Sequence, residues 1–261
     1  MFSMLIIVKI SVTIAIVLAL SLIAEHVSPR VAGLLAGYPL GAALALFFYG
    51  LEISPEFAAI SAIYTILGLI AIQSFAYFYY ITSLHVRKFI IPASSVMAVS
   101  GYFLVAWLLH FLKLSTLCTT ILSILSILLF VYLFRQIENR KIQKRIRLNF
   151  QVLCVRAFFA AAFIVVITGI AHLVGPRWAG LLSAFPTTFF PLLLIVHFTY
   201  SSEHAHTVIK NFPIGLGSII AYGLSVSFTY PACGVLVGTG ISLGIATVYL
   251  LIYNFAVYRG E

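Results

Sequence analysis

The stretch "SPRVAGLLAGYPLG", residues 28–41, returns 147 residues later as "GPRWAGLLSAFPTT", residues 175–188, in a chain otherwise dominated by Leu, Ile, Ala and Phe. Sliding the sequence on itself by that offset places Pro29 on Pro176, Arg30 on Arg177 and Pro39 on Pro186. Ala32, Gly33, Leu34 and Leu35 fall on Ala179, Gly180, Leu181 and Leu182, with Tyr38 opposite Phe185. The match extends without a gap from Lys9 over Arg156 to Ser54 and Glu56 over Ser201 and Glu203, then Gly68 over Gly215. Apolar residues coincide cheaply, so the weight rests on the Pro, Arg, Gly and Glu coincidences. These point to an internal duplication.

The surroundings of the repeat suit lipid. The chain of 261 residues is 63% hydrophobic and 8% charged and contains no Asp. That leaves too little polar surface to cover a soluble globule. Apolar runs of about 20 residues, long enough to cross a bilayer, recur with short polar breaks. The expected spans are 4–24, 31–50, 57–81, 88–112, 115–135, 151–173, 178–199, 207–229 and 233–256. The first run has no basic stretch ahead of it and no small-x-small cleavage site, so it reads as a retained helix. No lipidation signal is visible.

A net charge of +9 would suggest nucleic acid for a soluble protein, but here the cations lie in loops, and no nucleic-acid partner is expected. Residues 135–147 carry Arg135, Arg140, Lys141, Lys144, Arg145 and Arg147, which marks this loop as cytoplasmic. Counting helices outward puts Arg30, Arg87, Lys88, Lys210 and Arg259 on the same side, with Lys9, Lys113 and Arg177 toward the outside. The N-terminus is then outside and the C-terminus cytoplasmic. Cys118, Cys154 and Cys233 lie in apolar runs without CxxC spacing and read as small buried hydrophobes.

The expected fold is therefore all-α, a polytopic membrane protein of about nine transmembrane helices. Residues 1–112 and 151–261 form two four-helix repeats, and 113–150 supply a linker helix and the basic loop. Five crossings separate equivalent positions, so the second unit enters the membrane in the opposite sense.

Pro39 and Pro186 sit about nine residues into their helices, where Pro removes a backbone donor and opens the preceding turn. Broken helices at matching positions of inverted halves point to a substrate site. Gly33, Gly37 and Gly41 share a helix face that admits close packing, kept small by Gly180, Ser183 and Ala184 in the second copy. Arg30 and Arg177 follow a Pro at a helix entrance and suit an anionic group or lipid phosphates. Lys9 and Arg156, a turn inside the first helix of each unit, are further candidates for attracting an anion. Glu25 and His172 occupy equivalent positions and are the candidate proton carriers.

The chain has no HExxH, GxSxG, P-loop or Asp-rich diphosphate motif, so no enzymatic activity, cofactor or metal is expected. Glu203, His204 and His206 are the nearest approach to a ligand cluster.

At "PRVAGLLAGYP" and "PRWAGLLSAFP" the chain resembles the GlpM-like group of small bacterial inner-membrane proteins, which look like single four-helix units with a related signature in the second helix. The resemblance covers residues 20–60 and 167–207. It implies a fused duplication in a bacterial or archaeal cytoplasmic membrane.

The expected function is a secondary transporter or permease moving a small, anionic or lipid-linked substrate by alternating access. The alternative is a scaffold or accessory protein for envelope polysaccharide or lipid assembly. Beyond the lipid bilayer and that substrate, no partner is specified. Inverted units predict that Arg30→Cys and Arg177→Cys react with a membrane-impermeant maleimide from opposite sides; labelling of both from one side excludes inversion.

Overall fold

The structure, a computed structural model, describes residues 7, 9–15, 35–140 and 150–258, with the side chains of 150–156 and 254–258 outside the description. All regular elements among the described residues are helical. After a helical segment at 9–15 come α1 (Leu40–Glu52), α2 (Pro55–His85), α3 (Ile90–His110), α4 (Thr116–Phe134), α5 (Phe150–Ser183), α6 (Phe189–Thr199), α7 (Ser202–Gly215), α8 (Gly217–Cys233) and α9 (Val235–Tyr258). Among the described residues six stretches are long and apolar enough to cross a membrane: α2, α3, α4, Ala157–Ser183, Ser202–Cys233 and Val235–Tyr253.

Two of the expected spans come out shorter because proline divides them. In the 31–50 span residues 35–36 are helical, the chain bends at 37–39, and the 13 residues of α1 follow, while 31–34 lie outside the described residues. The 178–199 span splits into the end of α5 and the 11-residue α6. Within α5, Gly175 takes φ 76°, a region open to glycine at little cost, and redirects the chain before Pro176. Most of the expected 4–24 span lies outside the described residues.

Local chemistry sets the other boundaries. Ser54 caps α2 by accepting the Phe57 N–H at 3.1 Å, with Pro55 at the first helical position and Glu56 in the first turn. Ser201 caps α7 through the His204 N–H, with Glu203 in its first turn. This cap starts the eighth expected span at Ser202 instead of 207. Pro213 then interrupts the ladder, and the chain steps through Leu216 into α8.

α2 is the central strut. The final turns of α5 and then α6 run alongside it in the same direction. Gly180 lies against Ser61 and Tyr64, Ala184 against Gly68, Phe189 and Phe190 against Phe75, and His197 against Tyr79. From Ser61 to Tyr79 this path covers about 27 Å at 1.5 Å per residue, close to a bilayer core. The broken stretch is thus long enough, taken together, to match a bilayer core. α1 accompanies α8 in the same manner, from Gly37 beside Gly215 to Gly50 beside Tyr230.

α2 and the α7–α8 pair run antiparallel, with Ile66 beside Gly223 at one place and Tyr80 beside His206 at another. α3, α4 and α9 lie outside and expose Leu104, Trp107, Leu125, Leu128, Leu251 and Ile252, a surface suited to lipid. α4 turns a small polar stripe inward: Ser123 donates to the Ile66 carbonyl at 2.7 Å, and Gln73 donates to Ser126 at 2.8 Å.

Helix ends gather at two faces. The Glu52 face holds the α1–α2 turn, His110 stacked on Trp178, and the α8–α9 turn beside Gly50. The His206 face holds the end of α2, the end of α4 with the segment to Arg140, and the α6–α7 turn.

The close helix contacts predict a sharp contrast between two glycines. A Cβ on Gly180 would sit 2.2 Å from the Ser61 carbonyl oxygen, whereas one on Gly244 meets nothing within 4 Å. Gly180→Ala should cost about 1–3 kcal/mol through overpacking. Gly244→Ala should be neutral or stabilise by up to about 1 kcal/mol through helix propensity. Thermal unfolding in detergent reads both, and equal midpoints for the two variants contradict the packing described.

Candidate functional site

The two proline breaks have the same hydrogen-bond plan. At the first, Tyr38 N–H donates to Leu35 O at 3.0 Å, Leu40 N–H to Tyr38 O at 2.8 Å, and Ala43 N–H to Pro39 O at 2.6 Å. At the second, Phe185 N–H donates to Leu182 O at 3.0 Å, Thr187 N–H to Phe185 O at 2.7 Å, and Phe190 N–H to Pro186 O at 2.9 Å. Every one of these bonds recurs at the 147-residue offset. So do the α1 and α6 ends, where Ile53 and Tyr200 have φ/ψ of −113°/−75° and −118°/−77°.

A break deep in a membrane span leaves carbonyls that must find donors inside the protein. Thr188 Oγ1 donates to Ala36 O at 3.3 Å and Ser218 Oγ to Gly37 O at 3.0 Å. Tyr49 donates its hydroxyl to Ala179 O at 3.1 Å, and Tyr102 donates to Leu181 O. Hydroxyls from four different positions thus reach carbonyls at or near the breaks, Ser218 sharing its proton with Gly215 O.

The breaks also touch each other. Thr188, on the second, is the donor to Ala36 on the first, and the Thr187 side chain fills the space where a Gly41 Cβ would lie. Pro39 and Pro186 are both buried here. Beside the junction Thr65 and Ser183 share a 2.6 Å hydrogen bond. Phe189 stacks on Phe212 at 3.7 Å, and Phe185 packs on Phe163 and Tyr102. α1 and α6 both begin at this junction without a side-chain cap, and they run to opposite faces. Two positive helix ends therefore point at one polar spot in an apolar surround.

The charged candidates lie elsewhere. Lys9 is buried near the Glu52 face, its ammonium 2.7 Å from both Glu52 oxygens and 2.7 Å from Thr168 Oγ1, with the Phe48 ring centred 5.6 Å away. This pairing ties the 9–15 helix to α1 and α5, and it commits the lysine to a carboxylate that sequence spacing did not reveal. Arg177 reaches over the Tyr64 ring at 5.8 Å, and His172 is exposed on α5. Arg156 is on the helical backbone of α5 with its side chain outside the description, and Glu25 and Arg30 lie outside the described residues. Glu203, His204 and His206 do not converge: Glu203 pairs with Arg140 at 3.3 Å, His204 with Ser201, and His206 turns into α2.

A second polar group, absent from the sequence reading as a site, lies at the seam of α2 with α6 and α7. Tyr79 shares a 2.8 Å hydrogen bond with His197 Nδ1, and one turn along α2 Ser83 shares one of 2.7 Å with His206 Nε2. Both imidazoles are buried, and His206 packs edge-on against Tyr80 at 4.8 Å. The one available signal was negative: at the offset positions the first unit carries Gly50 and Ala59.

The chain matches no protein-family model, no curated protein and no solved structure.

The buried pair at the Glu52 face predicts non-additive mutational losses. Lys9→Met or Glu52→Leu alone strands its partner's charge and should cost about 3 kcal/mol, while the double variant should recover much of that loss. Thermal midpoints in detergent for the four proteins of the cycle measure the coupling; additive losses show that the two side chains do not pair.

Proposed function

We propose that the protein is a secondary transporter in which two inverted four-helix units, residues 1–112 and 151–261, rock about the junction of their broken helices, with 113–150 as linker helix and basic loop. One observation carries this reading: two proline-broken helices, equivalent at the 147-residue offset bond for bond, run to opposite faces and meet at their breaks. The antiparallel course of α2 and α7–α8 agrees with it, because a two-fold axis in the membrane plane reverses equivalent helices. The Gly37–Gly215 contact also recurs with its members exchanged as Ala184 against Gly68.

The uncapped starts of α1 and α6 favour a small anion, free or as the headgroup of a lipid-linked substrate. Thr65, Ser183, Thr187, Thr188 and Ser218 supply the hydroxyls around it, and Arg30 and Arg177 stand as entrance cations. On this reading Glu25 and His172 are secondary to groups already held inside the protein. The His206 face carries Arg135 and Arg140 at the start of the basic loop, which makes it the cytoplasmic face of a bacterial inner membrane, with the N-terminus outside. The resemblance to GlpM-like four-helix proteins would fit a unit that first paired with its own inverted copy.

Alternating access requires the junction to meet water from each side in turn. With Cys118, Cys154 and Cys233 replaced by Ser and Thr187→Cys as reporter, a membrane-impermeant maleimide should label the reconstituted protein when added to either side alone. Labelling from one side only, under all ionic conditions, overturns the transporter reading.

A further inference from the structure

We propose that the transporter's coupling ion is the proton, and that its binding site is the buried pair His197 and His206 at the seam of α2 with α6 and α7. This rests on the transport reading and names its driving ion and the device that uses it.

Both imidazoles lie in apolar helices, with their hydrogen-bond partners Tyr79 and Ser83 on one face of α2. Ionisable groups so placed are costly in lipid and mark ion pathways. Their presence is not demanded by the architecture, since Gly50 and Ala59 fill the offset positions. Among the described residues no buried carboxylate touches either ring, so none of them balances an imidazolium there.

The hydrogen bonds fix where a proton goes. Ser83 donates its only hydroxyl proton to the Tyr80 carbonyl at 2.7 Å, so its oxygen is the acceptor for His206 Nε2–H. The free base of His206 is then Nδ1. At His197, a neutral Nδ1 accepts from the Tyr79 hydroxyl, and protonation there forces that hydroxyl to turn and accept instead. Two imidazolium ions in one low-dielectric seam repel, so the pair takes up one proton. Once charged, the pair is stabilised by water and destabilised by the closed seam. Protonation therefore opens the His206 face, and loss of the proton closes it.

Other titratable and charged groups surround this seam. α2 contributes Tyr79, Tyr80 and His85; the segment after α4 contributes Glu138 and Arg140; Tyr200 follows α6; α7 itself carries Glu203, His204 and Lys210. Arg140 and Glu203 pair in the exposed layer at 3.3 Å, and Lys210 donates to the Ile137 carbonyl, which places a hydrated polar layer next to His206. All of these except Tyr79, which is itself varied, are retained in the variants below.

The test uses the Thr187→Cys reporter in proteoliposomes, with pH on the His206 side lowered from about 8 to about 5. Maleimide labelling from the His206 face should rise about tenfold as the open population grows, and labelling from the Glu52 face should fall. His197→Gln/His206→Gln should flatten this profile. Tyr79→Phe keeps both imidazoles but removes the hydroxyl that donates to neutral His197 and accepts from its protonated form; the charge-assisted bond is the stronger loss, so the midpoint should move to lower pH. A profile that is flat in the parent, or survives in the double Gln variant, or keeps its midpoint in Tyr79→Phe, overturns the proton site while leaving labelling from both sides, and hence the transport reading, intact. Labelling from one face alone at every pH removes the transport reading itself.

Discussion

The fold depends on what lipid denies a broken helix. Proline in a membrane span removes one N–H and releases carbonyls that water cannot reach, each unsatisfied group costing several kcal/mol (about 2–7 by transfer). Here the donors come from side chains on distant segments. Thr188 and Ser218 serve the first break and Tyr102 the second, while Tyr49 holds the helix just ahead of it. These bonds oblige α1, α3, α5, α6 and α8 to meet around the two prolines. Small residues make the meeting possible, with Gly37 on Gly215 and Gly180 on Ser61 at backbone contact. The same contacts leave the N-terminal ends of α1 and α6 at one place.

Much of this was legible in residue spacing. Pro39 and Pro186 announced the breaks, and the Pro, Gly and charge signals between apolar runs marked most helix ends. The repeated Ser and Glu, at 54 and 56 and again at 201 and 203, owe their match to capping: each serine closes the first turn of the following helix and each glutamate favours its positive end. Less legible was anything set by which helices become neighbours. Lys9 finds Glu52 across 43 residues, and Tyr79 finds His197 across 118. A histidine inside an apolar run looks the same in sequence whether it faces lipid or a seam. Gly175 falls in the break expected between 173 and 178, whereas Leu216 escaped because it lies within a continuous apolar stretch, where hydropathy registers composition and not backbone direction.

The faces differ in chemical kind. At the Glu52 face a full ion pair, backed by Thr168 and the Phe48 ring, joins three segments. At the His206 face the buried groups among the described residues are imidazoles and hydroxyls, and the Arg140–Glu203 ion pair lies in the exposed layer outside. The repeat positions behind this contrast are Glu52 against Thr199, Gly50 against His197 and Ala59 against His206.

For a pair of inverted units such differences carry mechanism. If the halves were identical in sequence, the states open to either side would be related by the axis and equal in free energy, and nothing inside the protein would couple their exchange to an ion. Substitution at a repeated position splits the two states by whatever that residue contributes to one closed face and not to the other. An ion pair with fixed charges adds a constant bias, which sets the resting state. A buried imidazole adds a bias that depends on protonation and therefore on the side from which protons are supplied. The present sequence places one of each on opposite faces. On the proposed transporter reading, a resting preference and a means of reversing it are then divided between two halves whose backbone hydrogen bonds match around the prolines.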